Sequence, residues 1–175
     1  MSGRFIAVVG PSGVGKDSLI DALCARRPDM VRARRVITRD PEAGGEDYDA
    51  VSPALFAARA AGGDFALHWR AHDLQYGIPV TVKDALREGQ DVIANLSRRV
   101  LTKADQVFDD LRVLHVTARP PVLAKRLATR GRESKGDIAR RLARQVPPLP
   151  EGLTIIEIDN SGTLDTAVKA ALDAL

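Results

Sequence analysis

The chain has 175 residues, 45% hydrophobic and 28% charged, with a net charge of +3 and a single cysteine, which fits one domain whose core needs no covalent staple. Cys24 alone excludes an internal disulfide and a zinc site built from cysteines, and no apolar run nears the ~20 residues of a membrane span. Aromatics at 4%, with no basic stretch interleaved among them, argue against nucleic acid as a partner, and the N-terminal residues carry no secretory pattern, so we expect a cytoplasmic protein that engages neither membrane nor nucleic acid.

Phe5-Ile6-Ala7-Val8-Val9 is an unbroken apolar run, the pattern of a central strand buried on both faces. A glycine-rich loop, Gly10 to Gly15, follows. Asp17 to Arg26 then repeats Leu19, Ile20, Leu23 and Cys24 at helical spacing until Pro28 closes the segment. The stretch from about 33 to 78 breaks this rhythm. It offers a short strand at Arg35–Thr38, a Gly/Pro/Asp turn region from Asp40 to Asp47, a helix after Ser52-Pro53 and a strand around Phe65 to Arg70, and reads as an inserted α+β subdomain. Helical patterns at about 79–88, 98–108, 120–130, 137–145 and 163–174 alternate with buried-strand runs at Val92–Ala94, Val113–Val116 and Ile155–Ile158. Arg126, Arg130, Arg132, Arg140, Arg141 and Arg144 crowd the segment that ends in Pro147-Pro148, which reads as a mobile helical lid. Strands alternating with helices predict an α/β fold with a parallel sheet between helix layers. The expected division is a core of 1–32, 79–125 and 149–175, an insert of about 33–78 and a lid of about 126–148. No internal repeat is visible.

Arginine supplies 20 of the 26 basic residues. Its planar fork suits phosphate oxygens, although a GC-rich coding bias gives the same excess, and only position separates the two. The sharpest local signal is Gly10-Pro11-Ser12-Gly13-Val14-Gly15-Lys16-Asp17-Ser18. Glycines let a backbone bend around phosphates and aim its N–H groups at them, the helix that follows adds its positive end, and Lys16 can reach the outer phosphates. This pattern, between a strand and a helix, predicts nucleotide binding. One position departs from it: the usual hydroxyl after the lysine, a Mg²⁺ ligand, is replaced by Asp17. Either the loop binds no Mg²⁺, or the Asp17 carboxylate serves as the hard-cation ligand. We expect the second, because a carboxylate beside phosphates is tolerable only with a cation between them.

A phosphate loop can serve a switch GTPase, a large ATPase or a small-molecule kinase. The first needs a guanine-reading Asn-Lys-x-Asp, absent here, and the second a longer chain. An acceptor pocket and a closing, arginine-bearing lid suit the third, since phosphoryl transfer is mostly positioning and charge stabilisation.

At these residues the chain resembles the guanylate kinases. Gly10 to Lys16 is similar to their loop. Thr38-Arg39 with Gly45-Glu46-Asp47-Tyr48 and Val51-Ser52 is similar to their acceptor-phosphate segment, and Tyr76-Gly77 to their Tyr-Gly. Arg126-Leu127, Arg130-Gly131 and Arg141-Leu142 are similar to their lid. The resemblance implies a P-loop NTPase fold, a three-layer parallel sheet with an inserted acceptor-binding subdomain and a helical lid. It also implies that Arg39, Tyr48 and Tyr76 grip an acceptor phosphate, that Arg130 and Arg141 close over the transferring group as catalytic residues beside Lys16, and that Asn160 lies near the adenine.

Four departures bear on the substrate. Leu67 stands where guanylate kinases place a guanine-reading Glu. Ile78 replaces their Ser or Thr after Tyr-Gly, Ser97 their Asp after the Val-Ile strand, and Glu42 their second phosphate-binding Arg. The phosphate anchors remain while the base readers are gone, and base selectivity needs its readers. A second family fits better. The ribose 1,5-bisphosphate phosphokinases of bacterial phosphonate breakdown carry Gly-Lys-Asp-Ser in the loop and resemble this chain at Val36-Ile37-Thr38-Arg39, Phe65-Ala66-Leu67-His68-Trp69, Tyr76-Gly77 and Arg130-Gly131-Arg132-Glu133. This resemblance implies ATP and Mg²⁺ as cofactors, ribose 1,5-bisphosphate as acceptor and 5-phosphoribosyl 1-diphosphate as product. A nucleoside monophosphate kinase and a non-catalytic binding module stay open as alternatives, as does a homodimer. Arg70, Arg98 and Arg99 are candidates for the acceptor's second phosphate. His68 and His72 read as wall or surface groups and His115 as a satisfied core residue. Trp69 suits a sugar face or the core equally, and Cys24 reads as inert core.

Overall fold

Every residue of β1 (Phe5–Val9) is buried, as its apolar run requires, and the strand is the centre of a five-stranded parallel sheet in the computed structural model, which describes residues 2–131, 133–144 and 146–175. The chain continues through α1 (Lys16–Arg26), β2 (Val31–Arg32), β3 (Val36–Ile37), β4 (Asp49–Ala50), α2 (Pro53–Ala61), β5 (Phe65–Ala71), β6 (Leu74–Pro79), α3 (Val82–Arg87) and β7 (Val92–Asn95). It ends with α4 (Leu101–Val107), β8 (Leu111–Thr117), α5 (Pro120–Thr129), α6 (Lys135–Ala143), β9 (Thr154–Asp159) and α7 (Leu164–Ala174). The main sheet runs β2-β7-β1-β8-β9. Chain segments leave β1 in opposite directions, first towards β2 and β7 and then towards β8 and β9, so a crevice opens at its C-terminal end.

Alternation along β1 feeds two cores. Phe5, Ala7 and Val9 meet Leu67, Ile78, Leu101 and Phe108 on one face, with the Phe5 and Phe108 rings stacked at 3.8 Å between centroids. Ile6 and Val8 meet Leu19, Leu23, Leu114 and Val168 on the other. Each such large side chain contributes about 1.5–3 kcal/mol on burial. Helices therefore cover both faces, as expected of an α/β sandwich.

The segment that breaks the rhythm builds a second sheet, β4-β3-β6-β5, with β6 antiparallel to both neighbours. Helix α2 starts as its residues predict, with Ser52 Oγ accepting from Leu55 N at 3.1 Å and Pro53 in the first turn. Strands β2, β4 and β6 are elements the pattern did not announce. Strand β6, which contains Gly77 and Pro79, pairs with β5 in a hairpin whose two-residue turn, His72-Asp73, has φ of 51° and 60°, the mirror-image geometry that suits the strand twist. A Cβ at residue 77 would lie 2.6 Å from the Phe65 ring, so glycine there lets β5 and β6 close on each other. Because β6 runs to Pro79, the helix expected at 79–88 is confined to α3. Helix α5 likewise runs on to Thr129, so the expected lid boundary at 126 falls inside it.

Candidate active site

The glycine-rich loop joins β1 to α1 at the crevice. Gly15 has φ 96°, and a Cβ there would stand 2.7 Å from Asn160 Nδ2, so both conformation and space require glycine. Two groups fix the loop from outside. Asn160 Nδ2 donates to Val14 O at 2.8 Å, and Arg126 donates to Val14 O at 3.2 Å and to Asn160 O at 2.8 Å. Lys16 Nζ folds over the loop and donates to Gly10 O at 2.8 Å and Pro11 O at 3.1 Å. Burial lowers the Lys16 ammonium to a pKa of about 8, with Arg35 and Arg130 adding to the shift and Asp17 opposing it.

Asp17 does not point away from the crevice. Its Oδ1 accepts from Asn95 Nδ2, at the end of β7, at 2.5 Å, and Arg32 stands 3.6 Å from the same oxygen. Asn95 O in turn accepts from Arg35 at 3.2 Å. Arg35 is only 8% exposed. It forms a two-pronged ion pair with Glu46, one prong Nε to Oε2 at 2.8 Å, and lies over the Tyr76 ring at 5.0 Å. A buried arginine needs such partners.

Tyr76 leads to the acceptor segment. Arg39 donates to Tyr76 Oη at 3.4 Å and sits over the Tyr48 ring at 5.3 Å, while Tyr48 Oη donates to Asp40 O. Arg39, Tyr48 and Tyr76, separate in sequence, thus form one cluster. A small pocket beside it is lined by Thr38, Arg39, Val51 and Ser52. A continuous series of contacts links this cluster to the phosphate loop: Tyr76, Arg35, Asn95, Asp17. On the other side of the loop a larger groove is lined by Gly13, Gly15, Ser18, Arg130 and Asn160 among others. Helix α6 reaches back to the loop through Arg141, which donates to Ser12 Oγ at 3.2 Å and pairs with Glu133 at 2.6 Å.

Among the described residues no group of three or more His, Cys, Asp or Glu side chains converges. The donor set at the loop is instead one carboxylate, Asp17, beside an amide, Asn95. It fits a Mg²⁺ ion, which takes one or two carboxylates and completes its shell with phosphate and water.

Several expected residues stand elsewhere. Arg98 is spent on His115 Nε2 at 2.7 Å and Pro147 O at 3.1 Å, not on the acceptor cluster. Arg70 alternates with Trp69 on β5 and is exposed on the face opposite the Trp69–Tyr76 stack, whose centroids are 5.3 Å apart. Arg99, His68 and His72 are exposed, the last at the hairpin turn. His115 is a half-buried group satisfied by Arg98 and by Glu157 at 3.3 Å. Arg126 serves the loop rather than the lid, and Arg132 lies outside the described residues. Burial raises the Cys24 thiol, in keeping with an inert side chain. Arg35, Glu46 and Asn95 were not singled out from sequence. Only Glu46 carried a signal, as part of the Gly-Glu-Asp-Tyr stretch.

A family described as AAA domain matches residues 5–146. Over 97% of the chain and 90% of the relative's length, the sequence is 58% identical to the ribose 1,5-bisphosphate phosphokinase PhnN of Ruegeria sp. (strain TM1040). It is 47% identical to the protein of the same name from Brucella melitensis biotype 2, over 99% of this chain and 92% of that one. Among solved structures, guanylate kinase from Anaplasma phagocytophilum superimposes with a TM-score of 0.72 at 17% identity, over 98% of this chain and 84% of that one. No helix among the described residues is long and apolar enough to cross a membrane.

Proposed function

The chain belongs to the ribose 1,5-bisphosphate phosphokinase family, within the AAA-domain family, and on that premise we propose that it phosphorylates ribose 1,5-bisphosphate with ATP, giving ADP and 5-phosphoribosyl 1-diphosphate. An oxygen of the acceptor's 1-phosphate attacks the γ-phosphorus, a new P–O bond forms, and the bond from the γ-phosphorus to the β–γ bridging oxygen breaks with ADP leaving. The nucleophile is already an anion, so no general base is required, and none is found among the cluster residues.

The loop residues Gly10, Pro11, Ser12, Gly13, Val14 and Gly15, with Ser18, hold the phosphates of ATP. Lys16 carries positive charge to the transferring group, where preorganised charge does most of the work. Arg130, which lines the groove beside the loop, and Arg141, which meets Ser12, would bring further positive charge to the same group. Asn160 sits in the groove that takes the adenosine, where its main task is to hold Val14. Asp17 would hold Mg²⁺, which when bound draws charge off the phosphate oxygens. Arg39, Tyr48 and Tyr76 grip an acceptor phosphate. Such highly charged substrates do not cross membranes unaided, and we place the reaction in the cytoplasm.

One observation carries the choice of acceptor. The phosphate-gripping cluster is assembled, while the positions where guanylate kinases read guanine have turned inward: Leu67 is 1% and Ile78 0% exposed, and both belong to the hydrophobic core. A purine edge would meet no partner from either, and unpaired polar groups of that kind cost about 1–3 kcal/mol each. Phosphorus NMR of the enzyme with ATP and, in parallel, ribose 1,5-bisphosphate or GMP tests the reading. Diphosphate signals of the sugar product are expected in the first tube and an unchanged GMP signal in the second. Rapid GDP formation with an inert ribose bisphosphate overturns it.

A further inference from the structure

The pair formed by Asp17 and Asn95 reverses the usual distribution of charge around a phosphate loop. Enzymes of this kind hold their cation with a hydroxyl after the loop lysine and an aspartate on a neighbouring strand. Here the helix position carries the acid, and the end of β7, the strand hydrogen-bonded to β1, carries an amide. The two side chains touch, Asn95 Nδ2 donating to Asp17 Oδ1 at 2.5 Å. A carboxylate only accepts, so this contact fixes which end of the amide faces Asp17 and turns the amide oxygen elsewhere. That oxygen, Asn95 Oδ1, is buried and has no hydrogen-bond partner within the described chain, in a residue only 7% exposed. Buried acceptors are nearly always paired, so one left over at this spot points to a ligand.

We propose that the anionic ligand of the cation has been transposed from strand to helix: Asp17 supplies the charged oxygen, and Asn95 is the positioning residue that aims it, its Oδ1 accepting from a water in the cation's shell. The proposal rests on the reading above that the loop holds a nucleotide with Mg²⁺. Its chemistry is consistent on three counts. The pair keeps a net charge of −1 in either arrangement, so the cation meets the same charge from a different side. Mg²⁺ retains several waters when bound, which gives the amide oxygen a donor. The Asn95 backbone oxygen is held by the buried Arg35, which fixes the strand end from which the amide projects. A plain ion pair between Asp17 and Arg32, at 3.6 Å, is the rival role for Asp17, and it makes no demand on a metal.

Mn²⁺ titrated into the full-length enzyme with ADP, read by electron paramagnetic resonance, tests the transposition with no acceptor and no turnover. Asp17→Asn keeps the shape and the Asn95 contact but removes the charge. It is expected to weaken Mn²⁺ in the ADP complex by about tenfold or more, with the melting temperature of the free protein little changed. Asp17→Thr weakens it similarly, and Asp17→Thr combined with Asn95→Asp restores it to within about threefold of the parent, as a relocated charge should. If the combined variant does not fold, Asn95→Leu decides in its place: a loss of about threefold or more supports the positioning role and unchanged affinity removes it. Parent-like Mn²⁺ binding in Asp17→Asn, or a combined variant no tighter than Asp17→Thr, overturns the proposal. The acceptor is absent throughout, so failure here leaves the ribose bisphosphate reading standing, and a failed acceptor assay leaves this one standing. Failure of the parent enzyme to bind Mn²⁺ with ADP at all overturns the transposition together with the nucleotide reading.

Discussion

Both ends of the parallel sheet bury polar side chains, but they treat them differently. At the N-terminal end Asp91 is fully engaged. Its Oδ1 accepts from Arg4 N at 2.9 Å and Arg4 Nε at 3.1 Å, while its Oδ2 accepts from Arg4 Nη2 at 2.6 Å and Arg27 at 3.2 Å. At the C-terminal end the buried groups are only partly paired. Asn95 Oδ1, Asn160 Oδ1 and Glu133 Oε2 lack partners within the described chain, and each belongs to a residue within one or two contacts of the phosphate loop. Lys16 spends its protons on its own loop carbonyls. One end is finished by folding alone, and the other is left to be completed by what binds there. Stability should therefore be concentrated at the first end and activity at the second.

Four changes sharpen or break that contrast. Asp91→Ala should cost the most in stability, about 3 kcal/mol, because it removes a buried carboxylate that accepts four hydrogen bonds, leaving Arg4 N without a partner, Arg4 with Leu175 O alone and Arg27 with Asp29 alone. The melting temperature should fall by roughly 6–12 °C in calorimetry, with turnover per folded molecule preserved, and lost turnover at full folding would erase the distinction. Lys16→Ala should do the reverse: turnover falls about a hundredfold or more, or about 2.7 kcal/mol of transition-state stabilisation, while the melt of the free protein hardly moves. Arg39→Ala should raise the KM for ribose 1,5-bisphosphate by about thirtyfold, the value of charge-assisted hydrogen bonds to a phosphate, and leave ATP affinity alone. Equal losses for both substrates would detach Arg39 from the acceptor.

The smallest effect is with pH. Burial holds the Lys16 pKa at about 8 in the free enzyme. Bound polyphosphate favours the charged ammonium and so raises that pKa. Below 8 the charge is already present, and above it each binding event takes up a proton, so ATP affinity should fall about tenfold between roughly pH 7 and 9. Calorimetry at pH 8.5 in two buffers of different ionisation enthalpy should report proton uptake, and a flat affinity profile would put the Lys16 amine outside the phosphate site.

The readable and unreadable parts of this chain divide along physical lines. The run Phe5–Val9 announced β1, since a strand buried on both faces leaves an unbroken apolar signature, and the loop announced itself because close backbone approach admits only glycine. Ser52-Pro53 marked the start of α2 through its cap. Strand β2 is two residues long and has no period to detect. Strand β6 was obscured by Gly77, whose reason is the Phe65 ring across the hairpin. Arg39, Tyr48 and Tyr76 were legible only through a family resemblance, and folding brings the three into one cluster. Arg35 and Asn95 were not legible: they are sixty positions apart, and nothing in an arginine on a short strand or an asparagine at a strand end says that folding will bury them against each other.

Arg126 also has a mechanical consequence. Its guanidinium bolts the middle of α5 to Val14 and Asn160, and Leu127 would lie 2.9 Å from any Cβ on Gly13. Helix α5 is thus tied to the loop along its C-terminal half. Gly131, with φ 64° and open space around it, lies between α5 and α6, so any displacement of α6, which carries Arg141, is expected to turn at that glycine and not within α5.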